Sequence, residues 1–120
     1  MALTIDHRVS GDVVILRAKG CLTRGDESDS LTQAIRGVLG EGNRKILLNL
    51  GEVAYIDSAG LGALLSAYTA VGSFGSALKL SGIREPNQKL FRLSRVDTIF
   101  EIVQSEDDAL KGDWPSPRAR

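Results

Sequence analysis

Alternating hydrophobic and polar positions mark the start of the chain as β-structure. Residues 3–9 alternate loosely between apolar and polar side chains, as in a strand with one buried face. Ser10-Gly11-Asp12 then has the composition of a turn, and a β-rich run from Val13 to Gly20 follows it. The sequence therefore predicts an N-terminal hairpin of two strands.

The spacing of the apolar residues changes to a helical period after a polar loop. Asp26 and the acidic residues after it favour a helix N-terminus, and Gly40 or Gly42 ends the pattern. Ile46 to Leu50 is then nearly all apolar, which is typical of a central strand covered on both faces. Strand, helix and strand in this order predict a βαβ unit and a partly parallel sheet. The residues at helical spacing are Leu31, Ala34, Ile35, Val38 and Leu39.

The second half of the chain continues to alternate between helix and strand. A second helix is predicted from Ser58 to Gly72, and a strand at residues 77–80 follows it. Pro86 suits the first position of a third helix, where its missing N–H costs nothing. We expect a short edge strand at residues 99–103 and a last helical turn after Ser105. The apolar positions of the second and third helices are Leu61, Leu64, Leu65, Tyr68, Val71, Leu90, Phe91 and Leu93.

Composition and charge narrow the classes of function. The 120 residues carry 15 basic and 15 acidic side chains, a balance that provides no electrostatic footprint for nucleic acid or an anionic membrane. The single cysteine, Cys21, can form no internal disulfide, and the N-terminus lacks the features of a secretory signal. We therefore expect a cytoplasmic chain with no nucleic-acid partner.

Residues 58–78 contain no formal charge. Their length would allow a bilayer span, but glycine, serine and threonine make the stretch too weakly hydrophobic to insert. A surface helix normally carries charge on its outward face. We predict no direct membrane insertion, and the missing charge requires another explanation.

Several catalytic and metal-binding patterns fail when they are tested against the sequence. His7 is the single histidine, and it lies on the first predicted strand, far in sequence from any candidate nucleophile. No cysteine and histidine cluster has zinc spacing. Gly60-Leu61-Gly62 opens a helix, but Leu65 stands where a dinucleotide-binding turn needs Gly or Ala. The sequence predicts no cofactor and no metal.

The segment Asp57-Ser58-Ala59-Gly60-Leu61-Gly62 lies between the central strand and the uncharged helix. A purely structural interpretation satisfies local physics, because Asp57 can cap the helix and the glycines allow close packing. Three features favour a function instead. Each glycine costs the helix about 1 kcal/mol relative to alanine. The small neighbours of Ser58 leave its hydroxyl reachable, and the uncharged helix surface is typical of the centre of a protein interface.

This segment resembles the STAS family, the anti-sigma factor antagonists of bacteria. Residues 46–65 match that family's strand, Asp-Ser-x-Gly-Leu-Gly turn and helix. Lys19-Gly20-Cys21-Leu22 is similar to the end of its second strand, and residues 75–80 are similar to its return strand. The resemblance implies one α/β STAS-like domain over residues 1–112, with a frayed tail over residues 113–120. The implied sheet is mixed and four- to five-stranded, with helices packed mainly on one face.

The resemblance also implies a partner switch controlled by phosphorylation. Ser58 stands at the family's phosphoacceptor position, with Asp57, Ala59, Gly60 and Gly62 around it. The implied partners are an anti-sigma factor with serine kinase activity and a serine phosphatase that acts on phospho-Ser58. ATP and magnesium belong to the kinase, so the chain is a binding protein and not an enzyme. The implied partner interface contains Thr23, Arg24, Tyr55, Leu61, Ser66 and Thr69.

Departures from the family pattern keep alternatives open. Thr23 stands where many members carry an acidic residue, and Gly75-Ser76 replaces a Gly-Gly pair. One alternative is a STAS scaffold subunit of a signalling or lipid-transport assembly, which is not phosphorylated. Another is an enzyme with Ser58 as its nucleophile, for which the sequence supplies no evident base.

Overall fold

Strands and helices alternate through residues 3–114, the part of the chain that the computed structural model describes, apart from the side chains of residues 26 and 27. The elements, in chain order, are β1 (Thr4–Ser10), β2 (Val13–Leu22), α1 (Asp26–Gly40), β3 (Lys45–Ile56), α2 (Ser58–Ser73), β4 (Ala77–Ser81), α3 (Glu85–Leu93), a 3₁₀ turn (Val96–Thr98), β5 (Glu101–Val103) and α4 (Glu106–Lys111).

The strands form one five-stranded mixed sheet in the order β1-β2-β3-β4-β5. β1 and β2 are antiparallel, and Gly11 supplies the positive φ of +61° in the turn between them. β3, β4 and β5 each run parallel to the strand before them in the sheet. The predicted hairpin, the βαβ unit and the mixed sheet are therefore confirmed.

The main core lies between the sheet and the helices α1, α2 and α3. Alternate residues of β2, β3 and β4 point to this side, where they meet the apolar stripes of the helices. Among the helices of residues 3–114, α4 is the one that packs on the opposite face, so the prediction of helices mainly on one face is confirmed. Fully buried residues of the main core include Leu16, Leu31, Ile35, Leu48, Leu64 and Phe91.

Glu106 fastens α4 to the opposite face of the sheet. Its carboxylate accepts two hydrogen bonds from Arg17, at 2.8 and 2.9 Å, and one from Arg8 at 2.8 Å. Asn49 donates a further one at 2.6 Å. The hydrogen bonds from Arg17 lower the pKa of Glu106 from its usual 4.5 to about 2. Partial burial opposes this shift, and the hydrogen bond from Asn49 adds to it.

Lys79 and Trp114 cover the other end of α4. The Lys79 side chain is 1% exposed, and its ammonium group donates to the carbonyl of Ala109 at 3.2 Å. It also lies 3.4 Å from a carboxylate oxygen of Glu101 and 4.4 Å from the centre of the Trp114 ring. Trp114, which the sequence assigned to the tail, thus packs on the domain, while residues 115–120 lie outside the described residues.

Four details of the predicted elements change. The edge strand expected at residues 99–103 is shorter, since β5 begins at Glu101. β3 continues to Ile56, beyond the apolar run, because β2 pairs with it along its length. Pro86 occupies the second position of α3, since the helix begins at Glu85. Leu93 is 75% exposed, and Asn87 takes an inward position together with Phe91. No helix within residues 3–114 is long and apolar enough to cross a membrane.

Candidate functional site

The carboxylate of Asp57 holds the turn between β3 and α2. Its Oδ1 accepts a hydrogen bond from the backbone N–H of Gly60 at 2.7 Å, which caps the first turn of α2. Its Oδ2 accepts one from the backbone N–H of Arg24 at 3.3 Å. The Asp57 N–H donates to the carbonyl of Leu22 at 3.2 Å. The predicted cap is confirmed, and the same side chain also fastens the loop after β2 to the turn.

The two glycines of the turn, Gly60 and Gly62, differ in the space that surrounds them. A Cβ placed on Gly60 would lie 2.9 Å from the carbonyl carbon of Leu22, and closer still to its oxygen. The backbone of β2 therefore allows only glycine at this position. A Cβ on Gly62 would meet nothing within 4 Å. The expected close approach of backbone is found at Gly60, and Gly62 leaves an open, exposed surface beside Ser58.

Ser58 begins an exposed, uncharged strip of α2. At 100° per residue, the positions 4, 8, 11 and 15 residues further on lie within about 80° of Ser58 around the helix. All of them are small and exposed, and the first turn of α2 contains no acidic residue. The Ser58 hydroxyl therefore lies at one end of a surface without charge. We call this surface the α2 stripe: Ser58, Gly62, Ser66, Thr69 and Ser73.

The structure brings three other predicted interface residues to the Ser58 end of α2. Leu22 pairs with Ile56 in the sheet, so the loop that begins at Thr23 lies beside the β3–α2 turn. Thr23 is half-buried, and Arg24 is exposed. Tyr55 is 54% exposed, two residues before Asp57. Their role in a partner interface stays a prediction.

Leu61 was predicted as an interface residue, and this prediction is wrong. Its side chain is 7% exposed and belongs to the main core. Leu61 follows Gly60 on the side of α2 that faces the sheet, where Leu64 and Val71 are also buried. Its apolar character therefore serves packing and not partner contact.

The sequence did not indicate two residues that the structure brings to this region. The exposed Arg36 of α1 lines a shallow groove of about 480 Å³ together with Ser66 and Thr69, and it places a positive charge beside the α2 stripe. Asn87 of α3 is buried against the last residues of β3. Neither residue belongs to a recognisable motif. In the sequence, Arg36 is the charged residue after the apolar Ile35, and Asn87 is an ordinary polar residue of a predicted helix.

The chemistry available here is that of an accessible hydroxyl group. Ser58 is exposed at the positive end of a helix dipole, where a phosphate group is stabilised by backbone N–H groups. His7 is exposed on β1 and belongs to a different element. Among residues 3–114, no three His, Cys, Asp or Glu side chains are grouped so that they could hold a metal ion.

Comparison with known proteins matches the chain to one family of domains. The model of the STAS domain matches residues 4–109. The Anti-sigma F factor antagonist of Paenibacillus polymyxa is 26% identical over 110 residues, which cover 92% of this chain and 94% of that protein.

Two solved structures have the same architecture. The structure of tm1081 from Thermotoga maritima is 25% identical, with a TM-score of 0.82, and the match covers 89% of this chain and 92% of that one. The Bacillus protein SpoIIAA, solved in its phosphorylated form, is 19% identical with a TM-score of 0.67. That match covers 91% of this chain and 96% of SpoIIAA, and at this identity it shows the fold alone.

Proposed function

The chain belongs to the STAS domain family, and from this premise we propose that it is an anti-sigma factor antagonist switched by phosphorylation of Ser58. The unphosphorylated chain binds an anti-sigma factor and thereby releases a sigma factor for transcription. The bound partner is also the serine kinase that modifies Ser58, and a serine phosphatase reverses the modification. The chain has no turnover of its own and acts in the cytoplasm, where the transcription machinery is.

The observation that carries this proposal is the position of Ser58 on α2. Its hydroxyl is exposed at the first residue of the helix, so a kinase can reach it without unfolding the domain. The α2 stripe that continues from it is small and uncharged, and a partner can cover it without desolvating a charge. The Paenibacillus polymyxa relative, named an antagonist, supports the same role. The phosphorylated form of SpoIIAA gives a precedent for a phosphorylated protein with this fold.

A phosphate on Ser58 changes the electrostatics of the docking surface more than its shape. It adds a charge of about −1.5 to −2. The Asp57 carboxylate beside it already accepts the N–H groups of Gly60 and Arg24, so the phosphate adds to a negative charge that is held in place. A partner shaped for an uncharged stripe must then desolvate this anion, which costs several kcal/mol when no cation pairs with it. The switch is therefore a local block to docking, with the fold retained.

Substitutions at Ser58 test the proposal. Ser58→Ala should bind the anti-sigma factor with an affinity within about threefold of that of the unphosphorylated wild type, because a small uncharged side chain is retained. Ser58→Asp should bind at least about tenfold more weakly, which corresponds to about 1.4 kcal/mol. Isothermal titration with the cognate anti-sigma factor measures both affinities.

Ser73→Asp is the matched control, since it adds the same charge to the α2 stripe about 22 Å further along the helix. We expect it to lose less affinity than Ser58→Asp. Equal affinities for Ser58→Ala and Ser58→Asp would show that charge at Ser58 does not control docking. An absence of binding by wild type would favour the scaffold alternative.

A further inference from the structure

Within residues 3–114, no strand pairs with the end of β3 on one of its two sides. β4 pairs with β3 only from Lys45 to Asn49, and its last residue, Ser81, lies opposite Asn49. The chain then turns away at Gly82, which has a positive φ of +71°. β3 itself continues to Ile56 with β2 along its other edge. The backbone groups that follow Asn49 on this open edge need another partner, because unpaired backbone groups are costly when buried.

Asn87 supplies that partner from α3. Its Oδ1 accepts a hydrogen bond from the N–H of Ile56 at 3.1 Å, and its Nδ2 donates to the carbonyl of Val53 at 3.1 Å. Asn87 is 2% exposed. A primary amide offers one acceptor and two donors in a plane, so it presents to β3 the same pair of groups that a neighbouring strand would present. One side chain therefore replaces the missing strand over four residues of β3.

The two hydrogen bonds lie immediately before the turn that contains Asp57 and Ser58. Ile56 directly precedes Asp57, whose carboxylate sets both the first turn of α2 and the loop at Arg24. Val53 and Ile56 are buried, while Tyr55 between them is exposed on the proposed docking surface. If the open edge of β3 frays, Tyr55, Asp57 and Ser58 lose their fixed geometry together. The neighbouring side-chain amide on α3 does not reach β3: Gln88 donates to the carbonyl of Ile83, two residues before the helix begins.

We propose that Asn87 is the positioning residue of the switch: it holds the β3–α2 turn in the geometry in which Ser58 and Tyr55 meet the partner. The docking part of this inference rests on the proposed function. The role does not require Asn87 to touch the partner, since Asn87 acts through the backbone of Val53 and Ile56. Its loss should loosen this turn while the rest of the sheet stays folded.

The test compares Asn87→Leu with Phe91→Leu. Leucine at position 87 keeps the number and branching of the side-chain heavy atoms and removes both hydrogen bonds. Phe91→Leu is the matched control, because Phe91 is 1% exposed on the same helix and packs on Phe100 without bonding to β3. Amide hydrogen exchange of the Ile56 N–H is measured by NMR, together with partner affinity, at a temperature where both variants are folded.

We expect Asn87→Leu to accelerate Ile56 exchange at least about tenfold, while the central β3 amides near Leu47 exchange as in the control. Partner affinity should fall about tenfold in Asn87→Leu and less than about threefold in Phe91→Leu. If Asn87→Leu does not fold, Asn87→Ala replaces it, because alanine also removes both hydrogen bonds and adds no larger side chain.

Each outcome decides the inference. Exchange of Ile56 that is no faster in the Asn87 variant than in the control overturns the inference, whatever the partner does. Faster exchange with unchanged affinity overturns the docking part and leaves Asn87 as a fold residue. Failure of the wild-type chain to bind any serine-kinase anti-sigma factor overturns the proposed function, and the exchange result still decides whether Asn87 holds the turn.

Discussion

Replacing each glycine of the turn by alanine tests the geometry of the site without any partner. At Gly60 the added methyl group would lie 2.9 Å from the carbonyl carbon of Leu22 and 3.0 Å from its Cγ atom, and closer to the carbonyl oxygen. The first obstacle is backbone at the end of β2, which cannot rotate away as a side chain can. Either β2 or the first turn of α2 must therefore move. At Gly62 the same methyl group would meet nothing within 4 Å.

The expected free energies follow from two opposing effects. Alanine in place of a helical glycine stabilises the folded state by about 1 kcal/mol. Forcing an extra methyl group into a well-packed site costs about 1–3 kcal/mol, and a backbone obstacle places Gly60 at the upper end of that range. We expect Gly60→Ala to lower the free energy of unfolding by about 2 kcal/mol, and Gly62→Ala to raise it by about 0.5–1 kcal/mol.

Urea unfolding followed by far-ultraviolet circular dichroism measures both changes, with the slope of the transition checked for two-state behaviour. The two variants differ by one methyl group two residues apart, so each is the control for the other. A free energy of unfolding that Gly60→Ala leaves unchanged or raises would refute the conclusion that the backbone of Leu22 dictates the glycine at position 60.

Three further predictions concern other parts of the domain. The pKa of Glu106 lies below its usual value, so its ionised form stabilises the fold above about pH 4.5, and this contribution is lost as the pH falls towards 2. Glu106→Gln should therefore lower the free energy of unfolding by about 1–2 kcal/mol at pH 7, a value reduced because the two arginines are half-exposed. In urea unfolding, the difference between variant and wild type should shrink below pH 4. Trp114→Ala should lower the free energy of unfolding by about 1–2 kcal/mol in circular dichroism, because it removes the ring over Lys79; no change would contradict the packing. Ser66→Lys should alter stability by less than about 0.5 kcal/mol and weaken partner binding at least about tenfold, and undiminished binding would remove Ser66 from the interface.

The order of elements was predictable because their signals are local. The period of the apolar residues marks α1 and α2, and the continuous run from Ile46 to Leu50 marks a strand covered on both faces. The cap at Asp57 was equally predictable, since an aspartate before a helix has a well-defined role. These features depend on residues that are close together in the sequence.

Other features depend on contacts between distant residues, and the sequence does not show them. Leu61 is apolar within a motif, and only the orientation of α2 over the sheet shows that it is buried. In the sequence, Asn87 is an ordinary polar residue. Its role follows from the structure, because β4 ends early and leaves an edge of β3 to which Asn87 bonds. Trp114 follows a short helix in a segment rich in proline and charge, yet Lys79 lies beneath its ring. Tertiary placement decides each of these cases.

Intact-mass spectrometry tests the central claim most directly. The chain is incubated with ATP, magnesium and a serine-kinase anti-sigma factor from the same genome, with Ser58→Ala as the matched control. We predict that wild type gains the mass of one phosphate group and that Ser58→Ala gains none. A phosphate on the Ser58→Ala variant would place the acceptor elsewhere, and wild type left unmodified by every such kinase would contradict the switch.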